Sequence, residues 1–316
     1  ILWGLGIVGL RPDERCTPHA MLEPGATARI LRRPAARACL GVLILVALAA
    51  TLGPEFFPDA YREPGPLQYA PPSWVHPFGT DLNGRDVLYR VLLGARISLV
   101  VGLAGAGVSL LLGTAYGLVA GYAGGRTDNL MMRLVDVIYS VPRLIFILIF
   151  INAFDGHVRE FASRADWPWL VSYSRIVILV ATLGLIEWLT MARIVRGQVL
   201  SLKERPFVLA ARALGQSHAR IILRHLLPNI LPIVIVYLTL TVPAVILDES
   251  FLSFLGLGIQ PPQASWGSLL SEGAQAINPL KVYWWLLVFP AATMSATLLA
   301  LNYLGDRLRD TLDPRR

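Results

Sequence analysis

The residues of this 316-residue chain able to do chemistry are two cysteines, five histidines and a few charged groups set inside apolar runs. His19, His76, His157, His218 and His225 form no H-E-x-x-H pattern and are too scattered for a zinc pair on one helix face. Cys16 and Cys39 are 23 residues apart, without C-x-x-C spacing or a histidine partner pattern, which supports neither a metal site nor a disulfide framework. A G-x-S-x-G nucleophile elbow is absent. A loop that cradles phosphate needs glycine amides followed by a lysine. Lys203 and Lys281 are the two lysines of the chain, and neither follows that pattern. The expectation is a chain with no catalytic residue, no metal and no cofactor of its own, hence not an enzyme.

The charges inside apolar runs are the more telling groups. Segment 132–154 carries Arg133, Asp136 and Arg143, and segment 171–192 carries Arg175 and Glu187. Ionisable groups are costly in hydrocarbon and should face other helices or a wet cavity. Arg133 and Asp136 stand at i, i+3 and read as a structural pair on one helix face. Glu187 either lines a pathway or pairs with Arg143 or Arg175. Pairing is favoured, because an unpaired buried carboxylate tends to protonate. Glu187 and Arg143 are the candidate pathway residues.

The elements that must hold these groups are membrane helices. Apolar residues make up 55% of the chain and charged residues 16%, where soluble domains carry about a quarter. Ile97–Gly125, Leu226–Leu247 and Val282–Gly305 are uncharged for 29, 22 and 24 residues, and Ala38–Pro54 for 17. About 20 residues of helix cross the hydrocarbon. With the two charge-interrupted runs the count is six, and the chain reads as an all-α integral membrane protein of one domain. The spans fall at about 38–54, 97–121, 132–154, 171–192, 229–248 and 283–305.

Of the 28 basic residues, 19 fall in segments 1–37, 123–133, 193–228 and 303–316, and eight in the alternate segments. By the positive-inside rule both termini are cytoplasmic. The net charge of +7 therefore reads as topology in a bacterial or archaeal cytoplasmic membrane, with lipid as partner and no nucleic acid. Residues 1–37 form an N-terminal tail. The chain opens on Ile1 with Met21 ahead of the basic stretch, which makes residues 1–20 a candidate upstream start artefact. The first run, behind Arg32-Arg33 and ending in small residues, also has the form of a cleavable signal, but cleavage would move one Arg-rich end across the membrane.

The loop 193–228 carries seven basic residues yet has helical patterning. Pro206 suits a first helical turn. Phe207, Ala210, Ala211 and Leu214 follow at i, i+3, i+4 and i+7, forming an apolar stripe. Gly215 ends the helix, Ser217 is placed to cap a second one from His218, and Pro228 opens the fifth span. So short a helix is marginal alone in water and needs a surface to lie against. On pattern alone, that surface is either its own membrane domain and lipid headgroups or a partner. Pro142, Pro232, Pro243 and Pro290 interrupt the spans, as moving bundles and many other membrane proteins tolerate.

Residues 207–229, FVLAARALGQSHARIILRHLLPN, resemble the cytoplasmic signature loop of binding-protein-dependent ABC importers: E-A-A, three residues, Gly, nine residues, then I-x-L-P. Ala210, Ala211, Gly215, Leu227 and Pro228 match. Leu209 stands at the Glu position and His225 at the Ile position, the latter as is usual in the peptide-transport branch. HPFGTDLNGRDVLYRVLLGARISL (76–99), SFLGLGIQPPQASWG (253–267) and LGDRLRDTLDPR (304–315) resemble the second permease subunit of dipeptide, oligopeptide and nickel importers. The resemblance implies a type I ABC importer permease fold. It also implies a pathway shared with a second homologous permease, two ATP-binding subunits that hold ATP and Mg, and an extracytoplasmic solute-binding protein. Residues 206–215 would be the coupling helix, with Phe207, Leu209, Ala210, Ala211, Leu214, Gly215, Leu227 and Pro228 as the ATPase-coupling set. A secondary transporter or a non-transporting membrane scaffold is the alternative, although no duplicated half of the kind common in secondary transporters is visible.

Overall fold

The structure, a computed structural model, describes residues 33–56, 64–261, 263–277 and 281–312. The start-site reading of residues 1–20, Cys16, His19 and the chain beyond Leu312 lie outside the described residues, as does 57–63 of the first long loop. The described chain is helical, with an isolated β bridge between Thr80 and Asp86. In order the helices are α1 (Pro34–Phe56), α2 (Val87–Ala123), α3 (Gly125–Ser140), α4 (Arg143–Arg164), α5 (Pro168–Leu202), α6 (Pro206–Ala213) and α7 (His218–Ile221). A π turn, Ile222–Leu226, carries α7 into α8 (Leu227–Phe254); α9 (Trp266–Gln275) and α10 (Trp285–Leu312) follow.

Among the described residues five continuous helices are long and apolar enough to cross a membrane, and α3 with α4 makes a sixth, bent by 88°. Leu111, Leu130 and Leu299 are about 70% exposed on the outside of the bundle, a surface suited to lipid and unsuited to water.

The third apolar run, expected as one helix over 132–154, is broken in the structure between Ser140 and Arg143. The break is local in cause. The Pro142 ring disfavours the α region for the residue before it. Val141 is accordingly extended, at φ −74° and ψ 128°, and α4 starts afresh with Pro142 as its N-cap.

The long helices α2 and α5 pack extensively together, and α8 packs against both. Small residues permit the closeness: a Cβ added at Gly113 would lie 2.5 Å from Met191 Cβ, and one at Gly117 2.6 Å from the Ala192 carbonyl. Backbones in contact through a small-xxx-small row are a packing mode suited to lipid, where apolar burial alone does not bring helices together. One apolar core joins Ile97, Val101, Ile147, Leu179, Leu183, Val245 and Leu252 from α2, α4, α5 and α8.

At the end of the bundle opposite α6, the loop before α2 is folded around charge. Asp81 accepts from the amides of Asn83 and Arg85, from Arg85 Nε and from Arg90 NH1, all at 2.8–2.9 Å. Arg90, 4% exposed, also reaches Glu272 of α9. Nearby, the fully buried Glu249 of α8 accepts from Ser98 of α2 at 3.0 Å and from Ser253 at 2.7 Å. Asp86 caps α2, accepting the Leu88 amide at 2.8 Å.

Candidate coupling helix and intramembrane charge cluster

Helix α6 begins where the sequence places it. Arg205 is extended and Pro206 occupies the first turn, where its missing N–H costs nothing. The inner face is Val208, fully buried, and Ala211, 3% exposed, packed with Val199, Ile221, Leu226 and Ile230. Phe207 and Leu202 cover the edge of this core. The helix ends in a Schellman turn: the Gly215 amide donates to Arg212 O at 2.9 Å and the Gln216 amide to Ala211 O at 3.1 Å. Gly215 takes φ +72°, and a Cβ there would meet nothing within 4 Å, so the demand for glycine is one of backbone hand.

Two side-chain ties hold the segment that follows. His218 Nδ1 lies 2.8 Å from Tyr122 Oη at the end of α2, and the Arg212 guanidinium stands 5.1 Å over the same ring. His225 Nε2 lies 2.9 Å from Gln216 Oε1. The expected side-chain cap by Ser217 does not form: its backbone is extended at the start of α7, but its hydroxyl makes no capping bond. The π turn ahead of α8 has its cause in Pro228, which cannot donate to residue 224 and whose ring crowds that carbonyl. Asn229 Nδ2 donates to His225 O at 2.6 Å in the same turn. Leu227 is partly buried and Pro228 exposed within the first turn of α8.

The predicted stripe is therefore divided between two faces. Ala211 faces this chain's own core, and Phe207 lies between, whereas Leu209, Ala210 and Leu214 are exposed, Leu214 by 81%. An eight-residue helix with Ala and Leu on opposite sides places Ala211 inward because Val208, three residues earlier, is there. Val208 escaped the sequence reading. Its signal was the i, i+3 pairing with Ala211, which the stripe running through Phe207 obscured.

The intramembrane charges are arranged differently from expectation. Asp136 pairs with Arg193 of α5 at 2.8 Å, not with Arg133. An exposed i, i+3 pair on one helix is worth a few tenths of a kcal/mol, and an arginine from the neighbouring helix, stacked 4.4 Å over the Tyr139 ring, outcompetes it. One turn along α5, Arg196 clasps Asp128 with two bonds, at 2.6 and 2.7 Å. Glu187 pairs with Arg143, as favoured, while Arg175 donates to the Leu257 carbonyl at 3.2 Å. A third member, Asp248 of α8, shares the same Arg143 nitrogen. It escaped the sequence reading although the uncharged run from Leu226 ends on it. A cavity of about 400 Å³ opens beside the cluster at the α3–α4 break, lined in part by Tyr139, Arg143, Phe146 and Glu187. Among the described residues no group of three or more His, Cys, Asp or Glu is placed to hold a metal ion.

Residues 113–316 match the model of the family described as binding-protein-dependent transport system inner membrane component, and the chain belongs to that family. The chain is 44% identical over 308 residues to the oligopeptide transport system permease protein OppC of Haemophilus influenzae, covering 96% of this chain and 92% of that one. It is 43% identical over 304 residues to the dipeptide transport system permease protein DppC of Bacillus subtilis, covering 96% and 89%. A solved inward-facing methionine ABC transporter is similar at a TM-score of 0.49 and 17% identity, over 71% of this chain and 97% of that one. The chain is a multi-pass inner-membrane protein of this family.

Proposed function

We propose that this chain is one of the two permeases of an ABC importer for di- or oligopeptides, and that α6 docks on a separate ATP-hydrolysing subunit. The chain supplies half of the pathway, a second permease the other half, and an extracytoplasmic binding protein delivers the cargo. Both termini and the loop 193–228 lie in the cytoplasm, and the chain has no catalytic role of its own. Relatives with oligopeptide and dipeptide in their names, matched over nearly their whole length, support the cargo class. Within the chain, the observation that carries the docking is the division of α6 into two faces. One face anchors the helix in the core through Val208 and Ala211, and the other leaves Ala210 and Leu214 exposed.

A helix anchored on one side transmits motion in both directions. Force on its outer face reaches Ile221, Leu226 and Ile230, and so the base of α8, through side chains already in contact. On this reading the two states of the bundle differ in how this contact is made, which is the differential interaction that ATP-driven switching requires. Glu187 and Arg143 line the pathway at the α3–α4 break.

The test is co-purification of the ATP-binding subunits with a Leu214→Glu permease. Loss of the ATPases and of ATP-dependent peptide uptake, with membrane insertion intact, is expected. ATPases retained at the wild-type ratio would sink the docking surface.

A further inference from the structure

The Arg143, Glu187 and Asp248 side chains come from three helices, α4, α5 and α8, and meet beside the α3–α4 break. A single guanidinium nitrogen serves both carboxylates. Among the described residues neither carboxylate has a second basic partner, so with both ionised the cluster carries one uncompensated negative charge. Three other ionic clusters among the described residues are balanced. Arg196 meets Asp128 and Arg193 meets Asp136, one to one, while Arg85 and Arg90 together meet Asp81 and Glu272.

An uncompensated charge among apolar helices is costly and has to be matched. Glu249, next in sequence, also lacks a cation, but it is sealed from solvent and satisfied by serine hydroxyls. The cluster is open by comparison: the Arg143 side chain is 40% exposed and that of Asp248 27%. The adjoining cavity of about 400 Å³ lies within the range of small-molecule sites, roughly 300–1,000 Å³, and Phe146 gives it an apolar wall.

The charge count selects the ligand. A divalent ion would overshoot to a net positive cluster beside Arg143, and two carboxylates are too few oxygens for calcium or magnesium without many waters. A guanidinium is a planar fork, whereas an ammonium is a compact charge whose three donors adapt to carboxylates already bonded on one side. We infer that Arg143, Glu187 and Asp248 form a subsite for the N-terminal ammonium of a peptide in transit, which brings the cluster to two positive and two negative charges. The inference rests on the peptide-permease reading and adds to it the group of the cargo that this chain engages.

The assembled transporter of both permeases and both ATPases, in nanodiscs and without binding protein, is titrated calorimetrically with trialanine and with N-acetyl-trialanine. Trialanine is expected to bind about ten-fold more tightly, the worth of a charge-assisted hydrogen bond. Asp248→Asn leaves Arg143 balanced against Glu187 and should erase that preference. Equal affinities in the wild type, no saturable binding of trialanine, or a preference that survives Asp248→Asn would each overturn the subsite. ATP-dependent trialanine uptake with the binding protein, measured alongside, separates the two failures. Uptake without an amine preference removes the subsite alone, and absence of uptake removes the permease reading and the subsite with it.

Discussion

Val208 in α6 and Leu214 at its C-cap sit six residues apart, and the proposed docking gives them opposite work. Val208 is fully buried in the core beneath α6, while Leu214 is 81% exposed. Val208→Ala removes two methyl groups and leaves a cavity, a loss of about 2 kcal/mol. An eight-residue helix has almost no stability of its own, so this loss falls on the equilibrium between docked and locally opened α6. Two kcal/mol corresponds to about a 30-fold rise in the opened population. Leu214→Ala removes little that touches the chain, and its effect on the same equilibrium should stay within about 0.5 kcal/mol. Hydrogen exchange of the amides over residues 208–216, in the permease without ATPases, reads this directly. Exchange should quicken about 30-fold in Val208→Ala, where opening limits it, and stay near wild type in Leu214→Ala. ATPase binding should show the reverse ranking per unit of opening, with Leu214→Ala weakening it at unchanged exchange. Equal protection in Val208→Ala and wild type would refute the inward anchoring, and equal acceleration by both variants would refute the two-faced helix.

At the Glu position of the family signature, Leu209→Glu should leave both ATPase co-purification and transport unchanged, since the proposed docking is made by Ala210 and Leu214 rather than by charge; a large gain in either would contradict this. At the opposite end of the bundle, Arg90→Ala strands Glu272, removes one of the four hydrogen bonds to Asp81, and should destabilise the subunit by about 3 kcal/mol. Arg90→Lys should recover only part of that, because an ammonium cannot reproduce the two-nitrogen bridge. Thermal unfolding in detergent checks both variants, and an unchanged midpoint for Arg90→Ala would remove the network from the stability of the fold.

Much of this protein was legible one residue at a time. Uncharged runs of membrane length follow from the cost of charge in hydrocarbon, and that cost depends on composition, not on neighbours in space. Pro206 and Gly215 set the ends of α6 because a fixed φ and a left-handed φ are properties of single residues. The family resemblance was equally local, carried by short motifs in order. Pro142 was visible as an interruption, yet the 88° angle it leaves between α3 and α4 depends on what each half packs against.

Partner choice was decided only in three dimensions. Nothing in the order of residues tells whether Asp136 meets Arg133 three positions away or Arg193 on another helix, because a weak local pair loses to any well-placed arginine the fold brings near. Nor could the stripe on α6 reveal which side faces inward, since Val208, Leu209, Ala210, Ala211 and Leu214 are all apolar and an apolar residue suits a core and a docking face alike. The meeting of Arg143 with Glu187 and Asp248 joins residues 44 and 105 positions apart. The sequence determined that this chain spans a membrane and carries charges that must be matched there; the tertiary structure decided which charges match, and set two carboxylates on one arginine.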